Sequence, residues 1–243
     1  MTVLSQEQRA TSLEAMTSQK FDVLVIGGGV TGAGIALDAA ARGLNTAVVD
    51  AQDWAAGTSS RSSRLVHGGL RYLYNLDFKL VAEALRERGR LLTTIAPHLV
   101  EAQPFLWPLK TPVIERAYSA VGVGMYDALA RIGSKGRKTV PIQRHLSKAG
   151  AMRRFPEIKR NALVGAIEFY DARVDDARLV ITLIRTAVKY GAAAASRVRV
   201  TEVLKDGRGR ACGVKAVDLE NGNEFTIEAD RIINATGVWT EQT

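Results

Sequence analysis

Asp22-Val-Leu-Val-Ile-Gly-Gly-Gly-Val-Thr-Gly-Ala-Gly34, with Thr46-Ala-Val-Val-Asp50 close behind, decides the fold of this chain. Val23 to Ile26 is an unbroken apolar run, the pattern of a strand covered on both faces. Gly27, Gly29 and Gly32 follow at G-x-G-x-x-G spacing. In that pattern the first glycine makes a tight turn and the second lets a pyrophosphate approach the backbone with no Cβ in its way. The third lets the next helix pack close to its strand. That helix, expected from about Gly32 to Arg42, has small residues toward the sheet and stops at Gly43. Its free N–H groups and positive dipole end attract phosphate. The second strand delivers Asp50, 18 positions after Gly32, where a carboxylate accepts hydrogen bonds from an adenosine ribose. Glycines at this spacing also mark plain turns; strand, helix, second strand and acid in order make a dinucleotide site.

Immediately beyond comes Gly57-Thr-Ser-Ser-Arg-Ser-Ser-Arg-Leu-Val-His-Gly-Gly-Leu-Arg-Tyr72, which has no place in an ordinary nicotinamide-binding unit. Read alone, its serine-rich half is a flexible loop. Near the other end, Arg231-Ile-Ile-Asn-Ala-Thr-Gly237 reads as a short strand ending in small residues, suited to lie parallel to the first strand. Taken in order with Val174-Asp-Asp-Ala-Arg-Leu179, these segments resemble FAD-dependent glycerol-3-phosphate dehydrogenase, the respiratory, quinone-reducing flavoprotein family. The likeness runs from about residue 20 to the last residue. The segment ending in His-Gly-Gly-Leu-Arg-Tyr is its most specific part; the glycine turn and the Ala-Thr-Gly strand are common to many flavoproteins.

The resemblance implies an α/β fold: a Rossmann-like FAD-binding domain of the glutathione-reductase-like, D-amino-acid-oxidase-like superfamily, with part of a mixed α+β substrate domain inserted. The FAD-binding domain is expected at residues 21–100 and 172–243, the partial substrate and membrane-facing domain at 101–171, and a flexible tail at 1–20. FAD is the implied cofactor, held by Gly27, Gly28, Gly29, Val30, Thr31, Gly32, Asp50, Ala51, Thr58, Ser59, Ser62, Ser63, Leu65, His67, Val198, Ala235, Thr236 and Gly237. Arg71 and Tyr72 are implied at the phosphate of sn-glycerol 3-phosphate, the implied substrate. It would be oxidised to dihydroxyacetone phosphate with electrons passed to quinone. A planar guanidinium suits a doubly charged phosphate; the alternative for this pair is an ion pair at a helix start. His67 titrates in the range of a general base, but the resemblance puts it beside the flavin, so the proton acceptor stays unassigned. Asp50 stands where glutamate is common in the family, and Arg61 and Arg64 make the serine segment more basic than its function needs. Two other readings compete: a flavin amine oxidase acting on glycine or sarcosine, and a non-catalytic flavin-binding, membrane-docking module.

Composition narrows the rest. The 243 residues carry a net charge of +8 and 47% hydrophobic residues, enough to fill a core. Cys212 is the single cysteine, which excludes an internal disulfide, and His67, His98 and His145 are too scattered to suggest a metal centre. Nothing in the sequence approaches the ~20 apolar residues of a membrane-spanning helix. Residues 131–160 hold ten basic side chains against Glu157 alone, a net +9 that exceeds the charge of the whole chain. Three readings of that stretch are a solvated face, attraction to anionic lipid, and nucleic-acid binding. Phe155 is its one aromatic residue, so base stacking ranks last and no nucleic-acid partner is expected. A quinone-reducing enzyme meets its acceptor at the membrane, which favours lipid. The expected location is therefore cytoplasmic and peripheral, on the inner face of the cell membrane; a homodimer is compatible with this. The chain stops at Thr240-Glu-Gln-Thr243, soon after the last strand. The resemblance implies a longer polypeptide whose C-terminal half is absent, so these residues alone are expected to be inactive.

Between the motifs, apolar residues at Phe78, Val81, Leu85, Leu92 and Ile95 predict an amphipathic helix ended near Pro97. Phe105-Leu-Trp-Pro-Leu109 predicts a strand at a sheet edge, because proline cannot donate to a ladder. Val121 to Ile132 predicts a second helix, and a third runs from an Asp175 cap to Tyr190, stopped by Gly191. Strands are expected near Arg197–Leu204, Gly213–Asp218 and Phe225–Glu228, joined by turns at Asp206-Gly207 and Asn221-Gly222.

Overall fold

The computed structural model describes residues 4–69, 72, 75–111, 114–133, 139–161 and 163–242. The chain divides into two compact units, residues 1–63 with 176–243, and residues 64–175. The first boundary thus falls near residue 63, not near 100 as expected. The strand that begins at Leu65 and the helix that begins at Phe78 take their partners from within the 64–175 segment, although they follow the cofactor motif without a break.

The first unit is built on a six-stranded sheet in the order β7-β2-β1-β10-β9-β8. Its strands are β1 (Phe21–Ile26), β2 (Thr46–Asp50), β7 (Ala193–Ser196), β8 (Val198–Lys205), β9 (Ala211–Asp218) and β10 (Glu224–Asn234). β7, β2, β1 and the second half of β10 are parallel; the first half of β10, β9 and β8 form an antiparallel meander. The two strands expected at Phe225–Glu228 and from Arg231 are therefore one, which changes partner part-way along. Side chains alternate across β1. Val23 and Val25 join Ala33, Ala36 and Ala40 of helix α2 (Val30–Ala41) and Val180 and Ile184 of the helix Asp176–Lys189. Leu24 and Ile26 face the opposite way, with Phe21, Val49, Val214 and Ile227. Both faces are covered, which is why the run at Val23 to Ile26 is apolar without alternation.

Residues 6–18, expected within a flexible tail, form helix α1 (Gln6–Ser18), capped by the Ser5 side chain. Met16 enters the core beside Phe21. Leu13 and Ala15 pack against the same cluster, and polar groups serve the outer edge of β7: Ser12 Oγ accepts the Ala194 N–H at 3.1 Å, Gln8 donates to the Ala194 carbonyl at 3.1 Å, and Arg9 donates to the Ser196 carbonyl at 3.0 Å. A helix that covers an open sheet edge largely with hydrogen bonds needs only a short apolar contact, here Leu13, Ala15 and Met16, so its sequence looks like a loose tail.

In the second unit, β6 (Gly165–Val174) is central. Antiparallel to it lie β4 (Val100–Leu109) along one side, and β3 (Leu65–Val66) and β5 (Arg144–Ser147). Pro104 and Pro108 sit in β4, an edge strand as expected. The unit's described helices include α3 (Phe78–Arg90), which runs on into a single π-helical turn at Leu91–Ile95, α4 (Ile114–Gly133) and α5 (Lys148–Arg154). Helix α6 is the Asp176–Lys189 segment of the first unit. No described helix is long and apolar enough to cross a membrane.

Candidate functional site

At the carboxyl ends of β1, β2 and β10 the first unit presents the place where open α/β sheets bind ligands. Three glycines there do different work. Gly27 has φ +112°, and a Cβ on it would lie 2.5 Å from the Ala235 carbonyl oxygen. A Cβ on Gly32 would lie 1.8 Å from the Gly27 carbonyl oxygen. Both are demanded by the protein's own packing. Gly29, the N-cap of α2, has φ −79° and ψ −177°, open to any residue, and a Cβ there would meet only the movable Ser59 hydroxyl at 3.3 Å. The fold leaves that space free, as a pyrophosphate approaching the backbone requires. Val30 and Thr31 open the helix at the surface, so its dipole end faces solvent.

Asp50 closes the other side. Its carboxylate accepts the Gly28 N–H at 2.6 Å and the Gln52 N–H at 2.7 Å. Two oxygens holding one backbone bond each keep lone pairs for ribose hydroxyls, and the shorter aspartate reaches the glycine turn. Ala51 follows, half-buried. Trp54 is half-buried. Its indole packs where a Cβ on Gly28 would be, 2.3 Å from that position, and so backs the turn and the acid together.

The serine segment is organised. Thr58–Ser60 is a short 3₁₀ turn, and Ser59 Oγ accepts the Val30 N–H at 2.9 Å, placing a hydroxyl at the start of α2. Ser62 donates to Asp176, the first residue of α6, and Ser63 is exposed beside it. Beyond β10, the Ala235 N–H continues the ladder to the Ile26 carbonyl at 2.8 Å, and the Asn234 side chain accepts both the N–H and the hydroxyl of Thr236. Gly237 has φ +60°, and the ring of Trp239 fills the place of a Cβ on Gly57. Val198, expected at the cofactor, lies in the core and is 1% exposed as a whole residue, so it offers a ligand almost no surface. The sequence reading gave no role at the site to Asn234, Trp54 or Trp239.

In the second unit, Leu65 lies half-buried in β3, His67 is exposed, and Tyr72 packs partly buried against the cluster of Val81, Leu85, Tyr126 and Ala130. Arg71 lies outside the described residues. A buried ionic network was also missed. Arg88 of α3 donates to Asp171 of β6 at 2.5 Å, and the Tyr126 hydroxyl of α4 donates to the same carboxylate at 2.8 Å while accepting the Gly68 N–H at 2.7 Å. Burial, then the Asp171 charge, pushes the Tyr126 phenol far above its ordinary pKa, so it stays protonated. The signal was spacing: Arg88 follows Val81 and Leu85 by seven and three positions, on the apolar face of its helix.

Comparison with known proteins agrees with this geometry. A family model described as FAD dependent oxidoreductase matches residues 22–243. Glycerol-3-phosphate dehydrogenase of Mycobacterium leprae is 51% identical over 239 residues, 98% of this chain and 40% of that protein. Alpha-glycerophosphate oxidase of Streptococcus pyogenes is 40% identical over 98% of this chain and 39% of its own length. The crystal structure of glycerol-3-phosphate dehydrogenase from Bacillus halodurans, complexed with FAD, superposes with a TM-score of 0.70 at 30% identity, covering 98% of this chain and 38% of that one. The chain thus spans about two-fifths of the length of these relatives.

Proposed function

We propose, since the chain belongs to the FAD dependent oxidoreductase family, that it is the cofactor-binding part of an enzyme oxidising sn-glycerol 3-phosphate to dihydroxyacetone phosphate. The observation that carries the cofactor half is the free space before Gly29, at an exposed helix start with Asp50 opposite. Support for the substrate comes from relatives named for glycerol phosphate at 51% and 40% identity. Bound FAD supplies the two-electron acceptor that no side chain can provide. The glycine turn and the start of α2 hold the pyrophosphate, Asp50 orients the ribose, and Ser59, Ser62 and the Ala235–Gly237 segment line the approach. Arg71 and Tyr72 clamp the substrate phosphate. The basic stretch supports quinone as acceptor and a peripheral position on the inner face of the cell membrane, because it gives a lipid-facing charge of the right sign.

The test is the visible spectrum of the FAD-loaded full-length protein under anaerobic conditions. Glycerol 3-phosphate bleaches the flavin and glycine or sarcosine does not. The reverse pattern establishes the amine-oxidase reading, and no bleaching by either establishes a non-catalytic flavin module. Reoxidation of the bleached protein by a soluble quinone, faster than by oxygen, separates dehydrogenase from oxidase.

A further inference from the structure

The corner between β7 and β8 is one residue long. β7 ends at Ser196, β8 begins at Val198, and Arg197 between them has φ +60°. A residue with a Cβ is disfavoured in that left-handed region, which glycine enters freely. The backbone of Arg197 is fixed on both sides: its N–H donates to the Gln52 carbonyl at 3.0 Å, and its carbonyl accepts the Leu219 N–H at 2.8 Å. Arg9 of α1 holds the preceding Ser196 carbonyl from outside at 3.0 Å. Arg197 is nevertheless exposed, and its side chain makes no hydrogen bond or ion pair among the described residues. The fold alone therefore gives no reason for arginine where glycine would be less strained.

The place of this corner in the sheet gives one. β1, β2 and β7 are neighbours in that order. The glycine turn with its free space at Gly29 follows β1, β2 ends on Asp50, and Asp50 stands in register with Ser196 of β7. In an adenosine diphosphate group the ribose lies between the pyrophosphate and the base. With the pyrophosphate at Gly29 and the ribose at Asp50, the base falls on the far side of Asp50, over the end of β7. Arg197 is the next residue there. Gln52, whose carbonyl anchors Arg197, also donates its own N–H to the Asp50 carboxylate at 2.7 Å, so acid and arginine are fixed through one shared residue. Every one of these residues belongs to the unit of residues 1–63 with 176–243.

We propose that Arg197 is a cofactor-binding residue whose planar guanidinium stacks on the adenine of the bound dinucleotide. A guanidinium with no partner of its own is free to lie on a ring face, where the π-system attracts its charge. This rests on the FAD reading above and needs no assumption about the substrate or about the second unit.

The experiment uses full-length protein freed of FAD, unmutated or carrying Arg197→Gly or Arg197→Lys. Melting temperature is measured without ligand, and affinity by fluorescence titration with FAD and by competition with ADP and with inorganic pyrophosphate. For Arg197→Gly we expect a melting temperature equal to wild type or higher, because the left-handed strain is relieved. Affinity for FAD and for ADP should fall at least tenfold by a common factor, while that for pyrophosphate, which has no base, stays unchanged. Arg197→Lys should recover only part of the loss, since an ammonium cannot stack as a plane. Unchanged FAD and ADP affinity in Arg197→Gly would overturn the proposal and leave a strained corner. So would a lowered melting temperature without ligand, which would assign the side chain to the fold, and so would an equal loss for pyrophosphate, which would assign it to the phosphates. Failure of the cofactor reading is distinct, because it shows in the unmutated protein as no binding of FAD or ADP at all.

Discussion

Gly29 and Gly32 stand three residues apart in one motif yet answer to different demands. A Cβ on Gly32 would overlap the Gly27 carbonyl oxygen at 1.8 Å, so Gly32→Ala must displace backbone and should destabilise the first unit by about 1–3 kcal/mol or more. Gly29 has room and an ordinary φ of −79°. Gly29→Ala should leave the melting temperature of FAD-free protein unchanged or slightly raised, since alanine restricts the unfolded chain. It should weaken FAD binding by about tenfold or more, which is about 1.4 kcal/mol. Thermal melts without FAD and fluorescence titration with FAD separate the two substitutions. If Gly29→Ala destabilises the FAD-free protein as Gly32→Ala does, the glycine serves the fold and the cradle argument falls. At this scale the motif was legible because each glycine is fixed by contacts a few residues away. The Arg88 network was not, because Tyr126 and Asp171 reach Gly68 from 58 and 103 positions along the chain.

Elements were legible wherever one face is apolar. Helix α6 shows Leu179, Val180 and Ile184 at helical spacing, and β1 shows an unbroken apolar run; both occur close to where the sequence puts them. Helix α1 shows neither pattern, because hydrogen bonds and an ion pair join a short apolar contact in holding it to the sheet. Arg9 lies 2.5 Å from Asp218, whose side chain is 3% exposed, and 3.2 Å from Glu220. Burial raises the Asp218 carboxyl, but the bonds from Arg9 and the Glu220 N–H outweigh it and hold the group below the usual aspartate range. A depressed carboxyl stabilises the fold above its unfolded pKa of about 3.9, and that contribution disappears as pH falls through the lower folded value. Arg9→Gln should therefore cost about 1–3 kcal/mol near neutral pH, with the gap to wild type closing in strong acid. Urea unfolding at pH 7 and below pH 4 measures both. A gap that stays constant with pH would mean that Arg9 acts through the Ser196 carbonyl alone.

The division of the molecule was the least legible feature, since residues 64–100 continue the cofactor motif in sequence while packing with β6, more than 60 positions away. Charge, by contrast, reads directly from the sequence and keeps its meaning in the structure. Of the basic residues between 131 and 160, Arg131, Arg144, Lys148, Arg153, Arg154, Lys159 and Arg160 are described, and all are exposed, on the end of α4, on β5 and α5, and just after α5. Arg154 spends part of its charge on Glu168, which is buried, at 3.0 Å. An exposed basic segment within one unit attracts an anionic bilayer by about 1 kcal/mol for each lysine or arginine near its surface. The protein should therefore bind vesicles rich in anionic lipid and ignore neutral ones, with binding lost as added salt shortens the Debye length. Reversing three charges together, Arg153→Glu, Lys159→Glu and Arg160→Glu, should weaken that binding by at least about a hundredfold, a loss of roughly 3 kcal/mol or more. Arg154 is left alone so that Glu168 keeps its partner. Flavin content should be unchanged, because none of the three belongs to the unit that carries the glycine turn. Sedimentation with vesicles at low and high salt reads the result. Equal binding to both vesicle types, or no loss in the triple variant, would return this stretch to an ordinary solvated surface and remove the charge argument for a membrane-bound acceptor.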